Sequence, residues 1–135
     1  MTNLTPELEQ QLWTAAESAA ALAYAPYSNF YVGAALLTSE GEIVTGCNVE
    51  NASYGLTNCA ERTAVFRAVV EGKLSKNVTI AAIAVVNRDG KSCSPCGACR
   101  QVVSEFGLSA IVLFEHDGQR RQMTVSALLP ENFLL

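Results

Sequence analysis

Val78-Thr79-Ile80-Ala81-Ala82-Ile83-Ala84-Val85-Val86 is an almost unbroken apolar run. A strand covered on both faces reads this way, so the run predicts the centre of a layered sheet. Upstream lies a helical stretch from Cys59 to about Val70, stopped by Gly72. Before it, a loop over 48–58 follows two β-like runs, Val32 to Leu37 and Ile43 to Cys47, joined by the hairpin turn Ser39-Glu40-Gly41-Glu42. The first helix starts at a Thr5 cap with Pro6 in its first turn, and Leu8, Leu12, Ala15, Ala19 and Leu22 step along one face. Its end is expected near Ala25-Pro26, because a proline disfavours helix in the residue before it. Downstream, a loop over 87–95 leads to a third helix, Cys96 to Phe106, that stops at Gly107. Ala110 to Glu115 and Arg120 to Val125 make two more strands around Asp117-Gly118, and the tail holds a short apolar helix or turn. The order α-β-β-α-β-α-β-β predicts an α/β fold, a five-stranded mixed sheet with helices packed on it.

At 135 residues the chain is one domain's worth, so residues 1–135 are expected to form a single domain. Its longest apolar runs fall far short of a membrane span, and its start carries no basic segment of a secretory signal. Thirteen acids against nine bases give a net charge of −4, which disfavours a nucleic-acid binder that lives on phosphate neutralisation. Charged residues make up 16 % of the chain and cover a small domain thinly, so some apolar surface is expected to meet another copy.

Five cysteines and one histidine narrow the chemistry. An odd cysteine count without a signal peptide argues for reduced thiols in a reducing, cytoplasmic setting. The single histidine, His116, sits in a turn context, which removes a multi-histidine metal site and leaves little for a Ser-His-Asp triad. Cys59-Ala60-Glu61-Arg62 and Pro95-Cys96-Gly97-Ala98-Cys99-Arg100 both open predicted helices, where free N–H groups and the helix dipole favour thiolate. Cysteines three apart share a helical face, and a neighbouring helix bringing Cys59 supplies a third thiolate to a zinc ion. The fourth position is then open to water, or closed by Cys47 or Cys93 in a structural site; spacing alone leaves both open. Glu61, two residues past Cys59, favours the open site, since a carboxylate beside metal-bound water is what hydrolysis requires.

The pattern Cys59-Ala60-Glu61 followed by Pro95-Cys96-x-x-Cys99 resembles the zinc-dependent deaminases, in the three-cysteine form of the small homotetrameric cytidine deaminases. Tyr27-Ser28-Asn29-Phe30-Tyr31-Val32-Gly33-Ala34-Ala35, Gly46-Cys47-Asn48-Val49-Glu50-Asn51-Ala52-Ser53-Tyr54 and Leu128-Leu129-Pro130-Glu131-Asn132-Phe133 are similar to further blocks of that family, in the family's order. The resemblance implies a three-layer cytidine deaminase-like fold with one Zn²⁺ per subunit on Cys59, Cys96 and Cys99. It implies that Glu61 shuttles protons, Asn48 and Glu50 hold the ribose hydroxyls, and Phe30 packs on the pyrimidine. Backbone groups around Ala60 and Ser94-Pro95 would meet the base edge, and Tyr54 and Phe133 of neighbouring subunits would close the pocket of a homotetramer. The sequence departs from the family pattern at Cys93, an extra thiol three residues before Cys96.

The implied reaction is hydrolytic deamination of cytidine and 2′-deoxycytidine to uridine and 2′-deoxyuridine, with release of ammonia, as in pyrimidine salvage. Three thiolates leave a zinc site at −1, so Arg62 is expected to donate to a ligand sulfur and offset the excess. Glu50 at the sugar accepts from hydroxyls and repels phosphate, so free nucleosides are the expected substrates, with no nucleic acid and no membrane. The rival readings are a polynucleotide deaminase, which needs a basic strand channel, a deaminase of a nucleoside antibiotic, and a non-enzymatic Cys₄ module.

Overall fold

A computed structural model of the chain describes residues 4–135. The elements follow in the order α1 (Pro6–Ala20), β1 (Val32–Thr38), β2 (Ile43–Cys47), α2 (Ala60–Val70), β3 (Ile80–Asn87), α3 (Gly97–Ser104), β4 (Ile111–His116), β5 (Gln119–Thr124) and α4 (Val125–Leu128), with a 3₁₀ turn at Tyr54–Leu56. The strands form one sheet in the order β2-β1-β3-β4-β5. β3 and β4 pair in parallel and the other neighbours antiparallel, so the sheet is five-stranded and mixed.

Side chains alternate across the sheet and divide the core into two layers. On one face Leu12, Trp13, Ala16 and Ala20 of α1 pack on Ala35, Leu37, Ala82, Ala84 and Val86. On the other, Ala60, Ala64, Val65 and Ala68 of α2 and Val103 of α3 pack on Ala34, Leu36, Ile83, Val85 and Val112. β3 is buried along nearly its whole length, as its apolar run requires. Three layers result, with helices on both faces of the sheet.

Two glycines set how closely the helices lie. A Cβ at Gly33 would sit 1.9 Å from the Ala16 carbonyl oxygen, and one at Gly46 would sit 2.4 Å from the Ala64 nitrogen and 2.6 Å from the Ala60 carbonyl oxygen. Both approaches are open to glycine alone. The first turn of α2 therefore rests directly on β2.

The first helix differs from its expectation. It ends at Ala20 with Ala21 as its C-cap, short of Ala25-Pro26, and Leu22 is 79 % exposed rather than on the buried face. The chain leaves the helix to pair elsewhere. The Tyr24 N–H donates to the Asn48 carbonyl at 3.0 Å, and the Glu50 N–H donates to the Tyr24 carbonyl at 2.8 Å. The close approach at Gly33 also centres the buried face on Trp13, Ala16 and Ala20, between the residues that the spacing had picked out.

Topology places the site. β2 and β3 are both antiparallel to β1, so they point the same way, and α2 and α3 follow them in the chain. The two helices therefore begin at the same end of the sheet, outside the carboxyl ends of its strands, where open α/β sheets form their crevices. No helix among the described residues is long and apolar enough to cross a membrane.

Candidate active site

Cys59 and Cys96 are the N-caps of α2 and α3, both with extended backbone, and neither side chain caps its own helix. The two sulfurs instead face each other at 3.9 Å. Cys99, buried on the first turn of α3, completes a group whose Sγ atoms all lie within 4.8 Å of one another. Tetrahedral coordination at about 2.3 Å asks for sulfur separations of about 3.8 Å, so this donor set suits zinc. Among the described residues neither Cys47 nor Cys93 joins the cluster, and the site has three sulfurs. Burial pushes the Cys93 thiol up to about 12, which keeps it a neutral thiol.

Arg62 lies one turn into α2, and its Nη2 donates to the Cys59 sulfur at 3.1 Å. The Cys59 thiol is pulled down to about 5, first by the Cys99 thiol donating to it and then by Arg62. Cys99 moves the opposite way because it holds the shared proton, with burial adding to the rise. The guanidinium is in turn held protonated more firmly, chiefly by its bond to Cys59. Glu61 is 4 % exposed, and burial pushes its carboxyl up to about 7, with the charge on Cys59 adding to the effect.

Cys59, Glu61 and Cys96 line a cleft of about 310 Å³, together with Cys93 and Ser94 from the loop before α3. That volume falls at the small end of ligand sites. Phe30, Asn48 and Ala60 also line it. It runs on to Ser28, Glu50 and Thr57, which it shares with an adjoining hollow of about 390 Å³.

Asn48 and Glu50 are less free than their spacing suggests. The Asn48 amide oxygen accepts from the Val32 N–H at 2.9 Å, and its nitrogen donates to the Phe30 carbonyl at 2.8 Å. The residue thus pins the segment that carries Phe30 into the cleft. One Glu50 oxygen accepts from the N–H groups of Tyr27 at 2.9 Å and Ser28 at 3.1 Å, and the other accepts from the Ser28 hydroxyl. These donors hold its carboxyl below the ordinary range, the Ser28 hydroxyl foremost.

Tyr54 and Phe133 stand apart from the cleft in this chain. Tyr54 is 76 % exposed on the 3₁₀ turn, edge-on to Tyr27 with ring centroids 6.1 Å apart, and it lines the adjoining hollow. Phe133 is 60 % exposed, and its carbonyl accepts from the Gln101 side chain at 2.9 Å. His116 ends β4 at the Asp117-Gly118 turn, where both residues have positive φ. Sequence reasoning missed Ser28 and Thr57 as cleft residues. Ser28 lies in the segment 27–35 that resembles the family, but its link to Glu50 spans 22 positions and leaves no periodic trace.

Three thiols around a metal-sized gap, beside a carboxylate kept out of solvent, place the protein with the zinc-dependent hydrolases. The sequence matches the family described as the cytidine and deoxycytidylate deaminase zinc-binding region over residues 6–115. It is 50 % identical over 113 residues to the cytidine deaminase of Halalkalibacterium halodurans, a match covering 82 % of this chain and 83 % of the relative. The fold superposes on the crystal structure of cytidine deaminase from Burkholderia pseudomallei with a TM-score of 0.84 and 48 % identity, covering 96 % of this chain and 100 % of that one. A more distant relative, blasticidin-S deaminase of Bacillus cereus, is 34 % identical over 105 residues, covering 74 % of each chain. The chain belongs to the cytidine and deoxycytidylate deaminase family.

Proposed function

We propose that the protein hydrolyses the exocyclic amine of free cytidine and 2′-deoxycytidine, giving uridine or 2′-deoxyuridine and ammonia. The observation that carries this reading is the juxtaposition of the three-sulfur cluster with buried Glu61 on one cleft of nucleoside size. One zinc ion per subunit, held by Cys59, Cys96 and Cys99, supplies Lewis-acid activation of water when bound. Glu61 takes a proton from the attacking water and delivers it to N3 of the base, then takes the remaining hydroxyl proton and passes it to the departing amine, ending as it began. A carboxyl raised to about 7 suits both directions of transfer near neutral pH. Arg62 donates to the Cys59 sulfur and offsets the negative charge of the thiolates.

The other groups bind and orient. Phe30 stacks on the pyrimidine, while backbone atoms at Ala60 and the Ser94-Pro95 segment meet the base edge. After its two backbone bonds the Asn48 amide still has one N–H and one lone pair for a sugar hydroxyl. Glu50 accepts from the sugar and discourages a phosphate there. Residues 1–135 act as one deaminase domain in the cytoplasm, assembled as a homotetramer in which Tyr54 and Phe133 close a neighbour's cleft. Exposed apolar side chains such as Leu22, Tyr54, Leu56, Val70 and Phe133 support assembly.

The test is ultraviolet-monitored turnover of cytidine by wild type and Glu61→Gln, each with its zinc content measured. Lost turnover with zinc retained is the expected result, whereas a fully active variant would remove Glu61 from the reaction. Wild type that binds zinc yet leaves cytidine intact would point to blasticidin S as the next substrate to try. Light scattering of the zinc-loaded protein reads the assembly.

A further inference from the structure

The two halves of the cysteine cluster are supported unequally. Cys59 is bonded by Arg62 at its sulfur, and its carbonyl accepts from the Thr63 hydroxyl at 3.2 Å. Cys96 is exposed and follows an irregular loop; its carbonyl accepts from the Arg100 N–H at 3.0 Å as α3 begins, and the chain entering it depends on what holds Pro95. Arg100, one residue past Cys99, does this. Its Nε donates to the Pro95 carbonyl at 2.8 Å and its Nη1 to the Leu128 carbonyl at 2.9 Å. Leu128 ends α4, which is itself fastened. The Val125 N–H donates to the Ala110 carbonyl and the Ser126 N–H to the Leu108 carbonyl, each at 2.9 Å, while Thr124 caps the helix at Ala127.

Arg100 also borders a void of about 10 Å³ that it shares with Pro95, Leu128 and Glu61. A space that small is at the limit for one water, so the guanidinium packs there with almost no room for solvent beside it. Two carbonyls on separate segments call for two donors at fixed separation, which a planar guanidinium offers and an ammonium does not.

We propose that Arg100 is a positioning residue: its fork ties the C-terminal helix α4 to the Pro95 carbonyl and so holds Cys96 in register with the other two thiols, while backing Glu61. The proposal rests on the zinc reading above. It makes the residues after β5 part of the metal site, although none of them reaches the sulfurs.

The test uses zinc-loaded protein and a colorimetric chelator, reading the rate of zinc release beside kcat, KM and the melting temperature. Arg67 supplies a matched control, because its guanidinium also serves a main-chain carbonyl, that of Thr45 at 3.2 Å, at the far end of α2. Arg100→Ala is expected to release zinc about tenfold faster than wild type, within the range for losing an outer partner of a metal ligand. Arg67→Ala is expected to release it at the wild-type rate whatever its melting temperature. Arg100→Lys, which also carries the test if the alanine variant does not fold, should fall between, and Thr124→Ala should shift release the same way by a smaller factor. Equal release from Arg100→Ala and Arg67→Ala, or wild-type release from Arg100→Lys, overturns the proposal. Wild type that takes up no zinc overturns the metal reading itself, an outcome recorded before any variant is compared.

Discussion

Glu61 and Glu50 line the same cleft and have been given opposite surroundings. Glu61 opens α2 almost out of solvent, beside a thiol drawn toward thiolate, and burial lifts its carboxyl to about 7. Glu50 sits in the loop after β2, where two N–H groups and a hydroxyl hold it as an anion. On the proposed reading, one carboxyl takes and gives a proton, and the other stays charged. Two like side chains separated by environment are how a site assigns an acid-base role and a binding role.

The largest effect expected is at the buried member. Glu61→Gln keeps shape and burial and removes proton transfer, so kcat for cytidine should fall by roughly 10² to 10⁴-fold. Zinc content and KM should stay near wild type. A comparable loss from Glu50→Gln would erase the division of labour.

The next way to break the comparison is to move the two glutamates relative to each other. Gly46 lets the first turn of α2 rest on β2, and the chain reaches Glu50 four residues later, so this glycine sets the geometry between them. Gly46→Ala drives a Cβ into the Ala60 and Ala64 backbone and should destabilise the fold by about 1 to 3 kcal/mol. Chemical denaturation measures this. Zinc should also bind more weakly, because Cys59 moves with the helix, and a variant as stable and metal-tight as wild type would contradict the packing argument.

The two regions also differ in how much of them the sequence disclosed. The cysteine end is built from local geometry: N-caps, a three-residue spacing and an arginine one turn on. Helix starts expected at Cys59 and Cys96 are observed with those residues as caps. The β1-β2 hairpin and the buried β3 were likewise legible, from two β-like runs around turn residues and from one apolar run. The wall formed by Asn48 and Glu50 is built from contacts across 16 to 23 positions, such as Asn48 to Val32 and Glu50 to Tyr27. No periodicity reports those. The same non-local bonding ends α1 at Ala20, because Tyr24 is recruited to Val49 and Glu50, and no turn signal at Ala21 announces it. The reach of Arg100 to Leu128, 28 positions away, was invisible for the same reason.

A smaller effect is expected from removing the fixed charge. Glu50→Gln should raise KM for cytidine by about tenfold, the scale of one hydrogen bond to a charged group, while leaving kcat within a few-fold. It should also narrow the discrimination between cytidine and its 5′-monophosphate, since the repulsion is gone. Steady-state kinetics on both substrates decides this, and unchanged KM values would free Glu50 from the sugar and leave it only its bonds to Tyr27 and Ser28.

The smallest effect is Glu50's own share of stability against pH, which the difference between wild type and Glu50→Gln isolates from Glu61 and the other carboxyls. The folded Glu50 carboxyl lies below the ordinary range, so between the folded and unfolded values the unfolded chain binds more protons, and stability rises with pH there. The contribution is fully present above the unfolded value and is lost as pH falls through the folded one. The melting temperature of wild type minus that of Glu50→Gln should therefore be level near neutrality and shrink as acid takes the solution below the ordinary carboxylate range. Because the Ser28 hydroxyl and the two N–H groups are neutral dipoles at bonding distance, added salt should leave this profile nearly unchanged, unlike one set by surface charge pairs. A difference that stays constant into acid, or that collapses with salt at neutral pH, would mean that the three donors do not hold the anion in solution, and the contrast with Glu61 would then rest on burial alone.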